Sequence, residues 1–476
     1  MKGFRFTSFL LLIITLLFAA GPGGGCANPI APSGGPKDTL PPLLVEVVPK
    51  DSMLQFTEKK ITFSFNEFVQ LDNWRDNVVV SPLYKHDPEI TSKLRTVTIK
   101  IKDTLEENTT YSYNFGNAIK DINEGNIAKN FTYVFSTGKY LDSLELSGNV
   151  IIAQTGKADS TLIVMLHRNG ADSALKKEKP RYFTKLDNKG HFVFRHLPPG
   201  VFYLYALTDA GGQKIYTSQT QYLAFANKPV TIGKNNLADT LYAYLEKDTV
   251  APRTPAPKAV TKADKDKEKE KEKDKRLKFS MNLENNQQDL LGDLVFTFAD
   301  PLKNFDSSKA RLTDEAFKTV DNYSFTKDSS NKKLILSYKW PENKVYNLIV
   351  DKDFAEDSSG RKIPRTDTLR FTTKKESDYG NLNIQFVHLD LSRKPVLQLM
   401  QGEEVKFHAK LTSNKFHDAR FRPGDYEIRI LYDDNDNGVW DTGAFFGKHQ
   451  QPERVIAVPK KLSVKANWDN DNTIEL

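Results

Sequence analysis

The chain has 476 residues, and its 68 Lys and Arg stand against 61 Asp and Glu for a formal net charge of +7. So small a surplus, with its densest charged run mixed in sign, argues against nucleic acid as a partner, because phosphate recognition needs a one-signed patch. A single cysteine, Cys26, leaves no intrachain disulfide and no thiolate cluster, so apolar cores must hold the fold, and the length leaves room for several domains.

Lys2 and Arg5 open the chain, and the run from Phe9 to Ala20 (FLLLIITLLFAA) is apolar, which is the charge and length pattern of a secretory signal. It falls short of the roughly 20 apolar residues that span a bilayer. Gly21-Pro22-Gly23-Gly24-Gly25 then leads into Cys26. This strip resembles a lipobox, with Gly23 standing where Leu is usual. The resemblance implies that residues 1–25 are a lipoprotein signal peptide and that Cys26 carries the lipid. The alternative is an ordinary signal peptide cut near Ala20. Residues 26–42, rich in Pro, Gly, Ser and Ala, read as a tether.

From there the pattern is strand after strand. Ile61 to Phe65, Val97 to Ile101, Tyr111 to Phe115, Phe192 to Phe194, Phe202 to Ala206, Leu334 to Leu336 and Tyr426 to Ile430 alternate apolar with polar. Period two predicts antiparallel sheets with one buried face. Turn signals separate the runs, among them Asn123-Glu124-Gly125-Asn126, Asp187-Asn188-Lys189-Gly190, Pro198-Pro199-Gly200, Ser358-Ser359-Gly360 and Pro423-Gly424. The chain also repeats itself. Phe63-Ser64-Phe65 answers to Phe296-Thr297-Phe298, Asp121 and Gly125 to Asp357 and Gly360, and Phe135-Ser136-Thr137 to Phe371-Thr372-Thr373. A second kind of block follows each copy, marked by Pro199-Gly200 and Pro423-Gly424. Two A–B pairs result, joined by residues 248–277, which begin Pro-rich and end in alternating Lys and acid. Such a segment reads as a solvated linker, and the two halves are expected to move semi-independently.

The A blocks resemble SbsA-type bacterial Ig-like domains through Asp38-Thr39-Leu40-Pro41-Pro42, Phe65-Asn66-Glu67, Asp121 to Asn126 and Phe135 to Gly138. The B blocks resemble carboxypeptidase regulatory-like, transthyretin-like sandwiches through Ser147-Gly148-Asn149-Val150, Gly190-His191-Phe192 and the Pro-Gly strand entry. The fold class is thus all-β, a run of tandem β-sandwiches, Ig-like alternating with transthyretin-like. The domains expected are 43–138 (Ig-like), 139–247 (regulatory-like), 278–376 (a degenerate Ig-like copy) and 377–476 (regulatory-like). The order of anchor, tether and modules looks like that of outer-membrane lipoproteins, which implies a lipid-anchored envelope protein. The uncharged stretch 27–36 favours the periplasm-facing leaflet, and the implied partner is another envelope protein.

No H-E-x-x-H, G-x-S-x-G or phosphate-binding G-x-x-x-x-G-K-[ST] occurs, and no enzyme is predicted. His86, His167, His388, His408, His417 and His449 lack ligand-like spacing and read as surface or half-buried sheet residues, with His191 and His196 flanking a turn-and-strand unit. Of the aromatics, 11% of the chain, most sit at core positions. Trp74, Trp340, Trp440 and Trp468 lie outside the clearest alternation and are candidates for a glycan platform. No cofactor is required. One loop could hold calcium at low affinity: Asp433, Asn435, Asn437, the Val439 carbonyl and Asp441 fall at the first, third, fifth, seventh and ninth positions of a calcium-type loop, with Ala444 where a bidentate Glu is usual. The same residues also suit a plain hairpin turn with solvated acids. The expected role is therefore a non-enzymatic scaffold or docking protein, with surface glycan or peptide capture as the alternative.

Overall fold

The computed structural model describes residues 37–233, 236–246 and 276–476, which divide into two compact units, up to Leu141 and from Asp142 onward. Cys26, the signal segment, most of the tether and nearly all of the linker lie outside the described residues.

In the first unit the alternating runs form strands as expected. Lys60–Phe65 points Ile61, Phe63 and Phe65 inward and Thr62 and Ser64 toward partial exposure. One sheet runs Leu44–Val48, Lys60–Phe65, Thr96–Lys100, Glu89–Lys93; facing it is a sheet of Val79–Ser81, Thr110–Asn114 and Thr132–Ser136. Phe63 stands edge-on to Phe115, Phe131 and Tyr133 between the layers, at centroid distances of 5.3–5.6 Å. Each fully buried ring of this kind removes enough apolar area from water to contribute roughly 2–3 kcal/mol. A short ribbon of Val69–Leu71 with Ile119–Asp121 closes one end. Asp121 there is buried: its Oδ1 accepts the N–H groups of Glu124 (2.6 Å) and Gly125 (2.8 Å), and its Oδ2 that of Asn126 (2.9 Å). Gly125 turns the chain at φ +78°. The turn signal read from sequence is thus a carboxylate caged by backbone donors.

Residues 277–375 repeat this plan. Phe279–Met281, Leu294–Phe298, Lys333–Ser337 and Ser324–Lys327 reproduce the first sheet, Gln287–Gln288, Asp367–Thr373, Val345–Val350 and Ala310–Asp314 the second, and Leu302–Phe305 with Ala355–Asp357 the ribbon. Asp357 occupies the place of Asp121, accepting the N–H groups of Ser359 (2.9 Å) and Arg361 (3.0 Å) beside Gly360 at φ +74°.

The other two sandwiches also share one plan. In the second, Leu162–His167 and Gly200–Thr208 are central to one sheet, and Leu144–Ile152 is central to the other. In the fourth, Pro395–Gln401 and Gly424–Tyr432 take the first role and Gly380–Val387 the second. Leu144–Ile152 pairs in parallel with Leu241–Ala243, and Gly380–Val387 with Asp469–Glu475. This departs from the all-antiparallel expectation. Period two reports a half-buried face and not strand direction, and the first and last strands of a domain need no tight connection between them.

A second departure concerns how the blocks group. The second and fourth sandwiches are not separate halves, because they dock on each other within the second unit. The loop after Gly443 inserts Phe445, which lies 5.0 Å from the Phe225 ring and 5.6 Å from that of Tyr205, while Phe446 sits 5.2 Å from Tyr216. Lys176 Nζ caps the Phe446 ring at 3.6 Å. Thr442 Oγ1 donates to the Leu245 carbonyl (2.6 Å), and the Val455 N–H donates to the Ala153 carbonyl (2.9 Å). Independent motion of two A–B halves would require breaking this aromatic contact.

Candidate functional site

The Asp433–Asp441 loop follows the strand Gly424–Tyr432 at one end of the fourth sandwich. Asp433 is fully buried, and its carboxylate accepts the N–H groups of Asn437 (3.1 Å) and Gly438 (2.6 Å). Gly438 is at φ +81°, the left-handed conformation a glycine adopts at little cost. Asn435 Oδ1 accepts the Asn437 N–H and Asn437 Oδ1 that of Val439, while both Asn amide groups donate to Asp441 Oδ2 at 2.7 and 2.6 Å. The side-chain oxygens of Asp433, Asn435, Asn437 and Asp441 thus accept from donors of the loop itself, while Lys394 and Lys410 reach in to the Asp434 and Asp436 carbonyls. Among the described residues no group of three or more His, Cys, Asp or Glu side chains is placed to hold a metal ion. Of the loop's acids, Asp434 and Asp436 are exposed, while Asp433 is sealed from water.

Sequence reasoning missed Glu453. It lies on the chain returning toward Arg454–Val464 and is 6% exposed. Its Oε1 accepts the Asp434 N–H and its Oε2 the Asp441 N–H, both at 2.9 Å, so one carboxylate staples both ends of the loop. Burial pushes its pKa above the ordinary glutamate value, against the pull of these backbone donors. No motif could have exposed this role, since the residue lies a dozen positions beyond the loop. The same peptide anchors Trp440, whose indole N–H donates to the Glu453 carbonyl at 2.8 Å.

The tryptophans separate by environment. Trp340 is buried, edge-on to Tyr346 and Phe371, and serves its core. Trp74 packs half-buried on the first core, and Trp468 is 61% exposed beneath Lys465. Trp440 is half-buried on the outer face of the fourth sandwich, over Val396, Leu431 and Val455. Beside it opens a cleft of about 840 Å³ between the second and fourth sandwiches. Its floor is a cross-strand row in which His408, Gln398 and Arg429 stand directly opposite one another. Its far wall is the turn carrying Gln154, Thr155 and Lys157. Lys157 Nζ bonds Glu427 Oε2 at 2.9 Å across the domain boundary, and this bond holds the Glu427 carboxyl below its usual range.

Of the histidines, His167 departs from the surface or half-buried expectation. It is buried on Leu162–His167, edge-on to Tyr205, and burial lowers its pKa to about 4, which keeps it neutral. His449 binds Asp172 across the docked pair.

Residues 38–137 match the bacterial Ig-like domain family, so the first sandwich is a domain of that class. No curated protein matches the chain. Among solved structures, the TIE protein of Bacillus anthracis aligns at 11% identity and TM-score 0.17 over 94% of this chain and 75% of that one. The N-terminal part of the bacterial S-layer protein SbsC aligns at 15% identity and TM-score 0.15 over 44% and 45%. An L,D-transpeptidase from Mycobacterium smegmatis aligns at 13% identity and TM-score 0.15 over 34% and 79%. At TM-scores this low the likenesses carry no argument.

Proposed function

We propose that the protein is a non-enzymatic, lipid-anchored component of the cell envelope that serves as a docking or assembly scaffold. Anchored through Cys26, it sits on the outer membrane, on the periplasm-facing leaflet, and presents its sandwiches to an envelope protein partner. The sandwich of residues 277–375 acts as a second, diverged Ig-like domain, and the second and fourth sandwiches as transthyretin-like modules. The observation that carries this reading is the docking of two non-adjacent sandwiches through Phe445 and Phe446. A chain built only to space one site from a membrane has no use for that contact, whereas a chain built to present a fixed surface does.

The test is fractionation followed by cross-linking in intact cells. Cys26→Ala should move the protein from membranes to the soluble fraction, and cross-linking of the anchored form should join it to one defined membrane protein. Turnover of an envelope substrate by the purified chain would sink the scaffold reading. The alternative of glycan or peptide capture is favoured by one feature, the cleft beside Trp440.

A further inference from the structure

We infer that the cleft between the second and fourth sandwiches binds an acidic saccharide, a chain of sugar rings of which at least one carries a carboxylate. The inference stands apart from the scaffold reading, and either can fail without the other.

The floor of the cleft is a sheet face, not a sheet edge. A ligand lying on that face meets side chains, whereas the free backbone edge of Glu404–Lys410 lies in the plane of the sheet, to the side of the face, which disfavours an extended peptide adding as a strand within the cleft. Its central row joins an imidazole (His408), a carboxamide (Gln398) and a guanidinium (Arg429) across three strands. Between them these groups donate and accept, as the hydroxyls of a sugar require. Beside this row, over the next cross-strand row, stands Trp440, whose indole is fixed from behind by Val396, Leu431 and Val455 and at its edge by the Glu453 carbonyl. A ring held in one orientation stacks a sugar face without losing rotamer freedom on binding. Tyr222 of the second sandwich also lines the cleft, so aromatic side chains come from both partners. The volume lies within the range of sites that enclose small ligands, on the order of 300–1,000 Å³.

The charge follows from Arg429. Its Nε is buried and meets no hydrogen-bond partner among the described residues. Glu427, on the same face, is already matched by Lys157. Glu403 is exposed at the tip of the turn joining Pro395–Gln401 to Glu404–Lys410, at the cleft's rim. Arg429 as a whole is half-buried and lines the cleft, and a guanidinium there whose Nε has no acceptor favours a ligand that brings an anionic oxygen, since a carboxylate fits its planar fork.

The experiment is calorimetric titration of the detergent-purified full chain with tetragalacturonate, with its fully methyl-esterified counterpart as a neutral control and with tetraglutamate as an acidic peptide. Saturable binding of the tetragalacturonate is expected, about tenfold tighter than that of the ester, the scale of one charge-assisted pair. Arg429→Gln should abolish the preference for acid over ester. Trp440→Ala should weaken both sugars by a similar factor, and Trp440→Phe should restore most of the loss, which separates stacking from damage to the loop. The inference is overturned by absence of saturable sugar binding at millimolar concentration, by sugar binding that ignores both substitutions, or by tetraglutamate binding as tightly as the saccharide.

Discussion

Asp172 and His449, 277 positions apart in the chain, meet at 2.7 Å between Oδ1 and Nε2, and the Gly447 N–H donates to the second oxygen of the same carboxylate at 3.1 Å. The second sandwich thus grips the corner that carries Phe445 and Phe446. Partial burial raises the Asp172 pKa, but the Gly447 N–H and His449 outweigh it and hold the carboxyl below its ordinary range. A depressed carboxylate pKa contributes stability that is complete above the unfolded value and lost as pH falls through the folded one. Hydrogen exchange at residues 445–449, corrected for intrinsic rates, should therefore show protection at neutral pH that declines in acid, below about pH 4. Asp172→Asn should loosen the corner at neutral pH by no more than ~1 kcal/mol, the scale for a partly exposed pair. Unchanged protection in that variant would remove Asp172 from the account.

Gly156 offers a harsher test of the docking. Its φ is +67°, and a Cβ placed there would lie 2.5 Å from the Ala457 nitrogen and 2.7 Å from the Val455 carbonyl oxygen. Both obstacles are backbone, so nothing flexible can yield. Gly156→Val should cost on the order of 1–3 kcal/mol in backbone strain alone and should part the docked sandwiches. Scanning calorimetry should then resolve an additional transition. A thermogram identical to that of the parent chain would show that the contact is dispensable.

In the first sandwich the buried Asp121 is the most exacting polar group. Burial raises its pKa, yet the N–H groups of Gly125, Glu124 and Asn126 more than compensate and hold it low. Its stabilisation is likewise present above the usual carboxylate range and disappears as pH falls through the depressed value. Asp121→Ala would orphan three donors, and a loss of about 2–3 kcal/mol is expected in denaturant unfolding of that domain. The variant should also show a flatter acid dependence than the parent. Equal acid profiles would mean that the cage contributes nothing to pH sensitivity.

Calcium at Asp433 to Asp441 remains a proposal with a clean probe. A cation would need the Asn435 and Asn437 amides to turn their oxygens inward, releasing Asp441, whose Oδ2 now accepts from both. Millimolar calcium should raise the melting temperature, and Asp441→Ala should remove the rise. Asp433→Ala is the poorer choice, since it also strands the N–H groups of Asn437 and Gly438 and destabilises the loop with or without metal. Absence of any shift would leave the loop as a self-satisfied turn stapled by Glu453.

What the sequence determined by itself was local and periodic. Alternation at Ile61, Phe63 and Phe65 settled which faces are buried, because side chains on a strand can face only two ways. The spacing of Asp121 to Gly125 and of Asp357 to Gly360 marked turns whose geometry depends on neighbours a few residues away, and the repeat between them was visible for the same reason. The tertiary structure alone decided the parallel pairing of Gly380–Val387 with Asp469–Glu475, the clasp of Phe445 against Phe225, and the stapling of the Asp433 loop by Glu453. Each joins residues through space without a periodic or short-range signature. Phe445 looks like any other loop aromatic until Tyr205 and Phe225 are brought beside it. The cleft belongs to the same category: Arg429, Gln398 and His408 are ordinary outward-facing sheet residues in sequence, and only the pairing of their strands lines them up, with a turn of the second sandwich as the facing wall.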